Sequence, residues 1–162
     1  MTTRCLALIT LLLMLAGCAA HTPQGPATVR QALFGLGERA AEQVAKASPL
    51  PTPHTDLVLL LATPDVDPAL GITDERLMES LTRALLGLDE GPQVLDWRPA
   101  IVGEAGGNQW RLDSSLAASG PRLTLSDREL LPYRLTLSLR RPGESQHLWQ
   151  THIDGALDAT AL

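Results

Sequence analysis

Cysteine is nearly absent: Cys5 and Cys18 are the two in 162 residues, which excludes a disulfide framework. A basic excess is also lacking. Thirteen Lys and Arg stand against 18 Asp and Glu, for a net charge of −5. Nucleic acid is therefore a poor partner, since phosphate binding needs a surplus of Lys and Arg. No nucleophile elbow (G-x-S-x-G), no P-loop and no G-x-G-x-x-G fingerprint occurs, so the common hydrolase, nucleotide and dinucleotide signatures are missing. The length suits one domain with a tail and excludes a multidomain machine. With 44% apolar and 19% charged residues, the composition is that of a chain with a packed core, not a disordered one.

The N-terminus reads as an address. Arg4 precedes the apolar run Leu6 to Leu15, which would measure about 15 Å as a helix, roughly half a bilayer core. That is too short to span but fits the apolar region of an export signal. It ends in Leu15-Ala16-Gly17-Cys18, which resembles the lipobox of bacterial lipoproteins. The resemblance implies that Cys18 is acylated and that residues 1–17 are removed as a lipoprotein signal peptide. Cys5 would leave with the signal and Cys18 would carry the lipid, so no free thiol remains for redox or thiolate chemistry. Two or three acyl chains anchor effectively permanently, where one holds only marginally. Ala19 and Ala20 follow in place of Asp, and the lipoprotein sorting rule of Gram-negative cells then points to the outer membrane, facing the periplasm.

Residues 18–27 are expected to form a lipidated tether, and residues 28–162 one periplasmic domain. Within the tether, His21 to Ala27 holds two prolines and a glycine with no apolar period, as a flexible segment would. From Thr28 a helical period begins, with Val29, Leu33, Leu36, Ala40, Val44 and Ala47 on one face. Gly35 and Gly37 weaken that helix by up to about 1 kcal/mol each, so packing must support it. The three prolines of Ser48 to His54 end it. Leu57 to Ala62 is apolar throughout and short, as for a strand buried on both faces. Thr63 to Pro68 reads as loop. Thr73 is placed to cap a second helix, with Asp74 and Glu75 favoured by its dipole. Leu77, Leu81, Leu85 and Leu88 form its stripe, and Gly91-Pro92 is expected to close it.

Strands are expected over Gln93 to Arg98, Gln109 to Ala117, Tyr133 to Arg140 and His147 to about Leu157, with a loop from Pro99 to Asn108. The third of these alternates, with Tyr133, Leu135, Leu137 and Leu139 opposite Arg134, Thr136, Ser138 and Arg140. Such alternation marks a sheet with one packed face and one wet face. Arg141-Pro142-Gly143-Glu144 supplies the turn of a final hairpin. The fold class is α+β: a single small domain in the order α-β-α-β-β-β-β. A mixed or antiparallel sheet of about five strands carries two helices on one face.

Chemistry-bearing clusters are few. His21, His54, His147 and His152 make no helical i, i+4 pair, and neither they nor Asp65 and Asp67 have the spacing of a metal site. Asp65 and Asp67 read as turn-forming acids. Serines 114, 115, 119 and 126 have no base at a recognisable spacing, and Asp89 and Glu90 fall at a helix end. The domain is therefore read as non-catalytic, with no cofactor and no metal. The aromatics are Phe34, Trp97, Trp110, Tyr133 and Trp149. Trp110 and Trp149 are expected in the core, whereas Trp97 suits the core and an interface equally, because Trp also favours interfaces. Trp97, Arg134, Arg140 and Arg141 are the candidate partner-contact residues, the three arginines forming a basic patch on the wet face.

The element order, with Leu57-Val58-Leu59-Leu60-Leu61 and the helix Glu75 to Leu85, resembles the LpoB family of outer-membrane lipoproteins. The hairpin Leu135 to Leu139, Pro142-Gly143-Glu144 and Leu148-Trp149 is the part most similar to it. The resemblance covers about Val29 to Leu157 and implies a protein partner in the cell envelope, a bifunctional penicillin-binding protein that the lipoprotein activates. Two features depart from that family: the long Pro- and Gln-rich tether is reduced to a few residues, and a helix between the second and third strands is missing. Curli-secretion and flagellar lipoproteins have a similar architecture, so an accessory of an envelope assembly is the alternative.

Overall fold

A computed structural model describes residues 29–98 and 106–159. The signal segment, the tether, Cys18 and most of the expected Pro99 to Asn108 loop lie outside them.

The first helix, α1, spans Val29–Ala45, and its predicted face is buried from Val29 to Val44. Ala47, just beyond the helix, is buried as well. A turn closed by Leu50 N on Ala47 O at 3.1 Å follows, and beyond Pro51 and Pro53 the chain makes a 3-10 turn over His54–Asp56. Gly37 does more than weaken α1. A Cβ there would lie 2.6 Å from Ser80 Oγ and 2.7 Å from Ser80 O. The missing side chain thus lets the two helices approach closely, and Ser80 Oγ donates to Leu33 O at 2.5 Å.

Strand β1 is Val58–Leu61. Leu59, Leu60 and Leu61 are all nearly inaccessible, as an uninterrupted apolar run requires of a strand covered on both sides. The Thr63 to Pro68 segment is not all loop: Asp65–Val66 forms a short β2, parallel to Ser115 and Leu116. Asp67 then caps a 3-10 turn, its Oδ1 accepting from Ala69 N at 2.9 Å and its Oδ2 from Ala118 N at 3.3 Å. The turn-forming role expected of this acid is the one it performs.

Helix α2 spans Asp74–Leu86, capped by Thr73 Oγ1 accepting from Arg76 N at 3.4 Å. Leu77, Leu81 and Leu85 bury completely, each contributing about 1.5–3 kcal/mol relative to exposure. The helix stops a turn before the expected Gly91-Pro92: Leu88 N bonds to Leu85 O at 3.4 Å and Gly91 N to Leu88 O at 3.2 Å, so three-residue turns replace the helical ladder after Gly87. Leu88 therefore packs on the core from a turn.

The remaining strands are β3 (Gln93–Asp96), β4 (Gln109–Ala118), β5 (Leu123–Thr124), β6 (Glu129–Arg140) and β7 (Trp149–Asp158). β1 lies between β3 and β4, parallel to both. β6 is antiparallel to β4 and to β7, with Leu135 opposite both Leu116 and Ile153. The two-residue strands extend existing lanes: β2 pairs with β4 beyond β1, and β5 pairs with β6 beyond β4. The mixed sheet thus has five lanes, with β3 and β7 at its edges. β6 begins earlier than its alternation suggests because Pro132 does not stop it. The ladder to β4 starts at Tyr133, so the residue without an N–H falls outside it.

Both helices cover one face. Leu33, Leu36, Leu77, Leu81 and Leu85 share a single core with Leu112, Leu116, Leu135 and Leu137.

Candidate functional site

The other sheet face carries the charged side chains of β4, β6 and β7. Strand alternation puts Arg111, Asp113, Arg134, Arg140, His152 and Asp154 on it. Asp113 holds two arginines. Its Oδ1 accepts from Arg111 Nε at 2.9 Å, and its Oδ2 accepts from Arg140 Nε at 2.7 Å. Arg111 and Arg140 are direct cross-strand partners, so the shared carboxylate offsets a like-charge pair. All three side chains are only 20–24% exposed. Arg140 Nη1 also donates to Glu144 O at 3.2 Å, tying the cluster to the hairpin turn. Gly143, at φ 84°, supplies that turn's left-handed residue.

Trp97 joins this cluster. The Arg111 guanidinium lies 4.7 Å from its ring centroid, a cation–π contact at the lip of the sheet. Arg134 lies farther along β6, opposite Asp154 of β7, with a bidentate pair at 2.8 and 3.1 Å. The hydrogen bond from Arg134, and then its charge, hold the Asp154 carboxyl below its ordinary value and raise Arg134.

Arg141 does not share this face with the other two. β6 ends at Arg140, and Arg141 turns to stack on the Trp110 ring, 3.9 Å from its centroid. It donates to Gly107 O at 2.8 Å and Gln109 O at 3.1 Å. Those carbonyls, and the ring beneath them, give its charge a local use. Trp110 is buried in the core, with its indole N–H unpartnered among the described residues, and Trp149 packs partly buried against the core. The structure thus brings Trp97 and Arg140 together through Arg111 and Asp113, places Arg134 apart, and sends Arg141 elsewhere. Arg111, Asp113 and Asp154 were missed. Their signal was present, since Arg111-x-Asp113 puts opposite charges on one face of a strand. Only the register shows that Arg140 sits across from them.

The helical layer has a feature of its own: a groove of about 80 Å³ between α1 and α2, lined by Leu33, Phe34, Arg30, Arg76 and Arg83. No group of three or more metal-binding side chains occurs among the described residues, and no described helix is long and apolar enough to cross a membrane.

The chain matches no protein-family model and no curated protein sequence. Among solved structures it is similar to XCC0632 from Xanthomonas campestris, of the DUF330 family, with 12% identity, a TM-score of 0.45, and 65% of this chain and 69% of that one covered. It is also similar to lipoprotein GNA1162 from Neisseria meningitidis, with 13% identity and a TM-score of 0.44 over 64% and 85% of the two chains. A homolog of neuraminyllactose-binding hemagglutinin from Helicobacter pylori has 13% identity and a TM-score of 0.40, over 65% and 68%.

Proposed function

We propose that this chain is a lipid-anchored outer-membrane lipoprotein whose domain is a non-catalytic protein-binding module in the periplasm. Its proposed partner is a bifunctional peptidoglycan synthase, the partner that the LpoB resemblance implies. The observation that carries the reading is the preset charge on the open sheet face. Asp113 and Asp154 fix the guanidiniums of Arg111, Arg140 and Arg134 before any partner arrives, and Trp97 stands beside them. Trp and Arg are the residue types that anchor protein interfaces. Side chains already ordered spare about 0.5–1.5 kcal/mol each on binding.

Activation is a population shift. The domain favours the synthase's active state only to the extent that it binds that state more tightly. A tenfold stimulation asks for a difference of about 1.4 kcal/mol. The test is glycan polymerisation by a purified bifunctional synthase, with and without the full-length lipidated protein in one detergent. Faster polymerisation that saturates with lipoprotein supports the reading. An unchanged rate at every concentration refutes it.

A further inference from the structure

Eight of the eleven arginines among the described residues have engaged side chains. Arg39 donates to the Tyr133 hydroxyl, Arg122 pairs with Glu129, and Arg128 with Asp127. Arg83 pairs with Glu79, and Arg111, Arg134, Arg140 and Arg141 are held as described above. Among the described residues no side-chain hydrogen bond or ion pair is made by Arg30, Arg76 or Arg98. Two of those three, Arg30 and Arg76, line the same α1–α2 groove.

The groove is apolar between its charges. Leu33 and Val29 lie along it, and Phe34 projects from its edge with 46% of its surface exposed. A shallow depression continues along α2 through Thr82 to Leu86, which is 61% exposed. One acid, Glu79, lines the groove against three arginines, and it is paired with Arg83. A positive, partly apolar strip on a chain of net charge −5 is complementary to an anionic surface with an apolar interior.

We infer that this strip docks on the anionic bilayer to which the chain is anchored, with Arg30 and Arg76 at phosphate headgroups and Phe34 and Leu86 entering the interface. The inference rests on the lipoprotein reading of Cys18. It follows from where the tether ends. The ten residues 18–27 reach at most about 35 Å when extended, and Val29, one residue beyond the domain's expected start, lines the groove itself. The helices cover the sheet face opposite to Arg134 and Arg140, so docking by α1 and α2 leaves the open face turned toward the periplasm. Buried aromatic and aliphatic area adds to electrostatic attraction at such an interface.

The test uses the full-length acylated protein in phosphatidylcholine vesicles, with and without phosphatidylglycerol. A fluorophore is placed on Thr82→Cys, and on Gln150→Cys of the sheet face as the reference position. Lipids carrying a nitroxide quench whichever reporter lies at the bilayer, and intact mass on the same samples establishes acylation of Cys18. Quenching of the Thr82 reporter on phosphatidylglycerol vesicles, with the Gln150 reporter unquenched, supports docking. Each arginine at an anionic surface is worth about a factor of five, so Arg30→Gln with Arg76→Gln should lower the docked-to-free ratio about thirtyfold. An acylated protein with both reporters unquenched, or both equally quenched, overturns the docking and leaves the anchor intact. Absence of the acyl mass removes the anchor, and the docking proposal with it.

Discussion

Arg39 of α1 donates to the Tyr133 hydroxyl of β6 at 2.7 Å, and the phenol that receives this bond occupies the space where Gly155 of β7 has no side chain. Tyr133 and Gly155 are direct cross-strand partners. The contact links helix, strand and edge strand across 94 residues of sequence. Tyr133→Phe should cost about 1.5–3 kcal/mol, as for a hydrogen bond to a charged group. Gly155→Ala should cost about 1–3 kcal/mol by overpacking, and most of that loss should vanish in a Tyr133→Leu background. Urea unfolding of wild type, Gly155→Ala, Tyr133→Leu and the double variant gives the coupling directly.

The two glycines of α1 should respond in opposite directions. Gly35 has open space where a Cβ would go, whereas at Gly37 the Cβ would meet Ser80. Gly35→Ala should stabilise by up to about 1 kcal/mol, the helix-propensity gain. Gly37→Ala should destabilise by about 1–3 kcal/mol despite the same gain, because the helices must separate. Midpoints of chemical denaturation decide it.

Asp113 is the hinge of the open-face charge cluster. Its exposure, and that of its two arginines, lies between 20% and 24%, between the surface and buried regimes. Asp113→Ala should cost about 1–3 kcal/mol, since Arg111 and Arg140 then face each other unshielded. Added salt screens that repulsion, so the difference from wild type should narrow as ionic strength rises.

The Arg134–Asp154 pair should show in the acid limb of the stability profile. Arg134 lowers the Asp154 carboxyl from its ordinary 3.8. A depressed carboxyl contributes stability that is present above the unfolded value and is lost as pH falls through the folded one. Wild type should therefore lose more stability than Asp154→Asn between about pH 5 and about pH 2. Parallel denaturation curves at the two pH values measure this, and equal losses would remove the pair from the acid response.

Both helices and every long strand were legible in the sequence because each follows one strong period. The Leu77-Leu81-Leu85 stripe, repeating every four residues, and the Tyr133-to-Leu139 alternation state their buried faces outright. What escaped is what depends on a partner in space. The short strands Asp65–Val66 and Leu123–Thr124 exist because β4 and β6 offer them an open edge, and two residues carry no period. The end of α2 at Gly87 was hidden because Leu88 keeps its place in the stripe while leaving the helix. The candidate site was half visible: Trp97, Arg134 and Arg140 lie on or beside the open face. Arg141 was misplaced because, beyond the last strand residue, alternation no longer sets direction. Asp113 and Asp154 needed the register.

The central claim is that the open sheet face recruits an envelope protein. Affinity capture of the full-length lipidated protein from detergent-solubilised envelopes, followed by mass spectrometry, tests it most directly. One bait carries Gln150→Glu and His152→Glu, exposed on that face. The other carries Gln43→Glu on the exposed side of α1. Enrichment of a bifunctional peptidoglycan synthase with wild type and with Gln43→Glu, lost with the sheet-face pair, is the predicted result. No synthase above an unrelated lipoprotein, or equal recovery with all three baits, would contradict it.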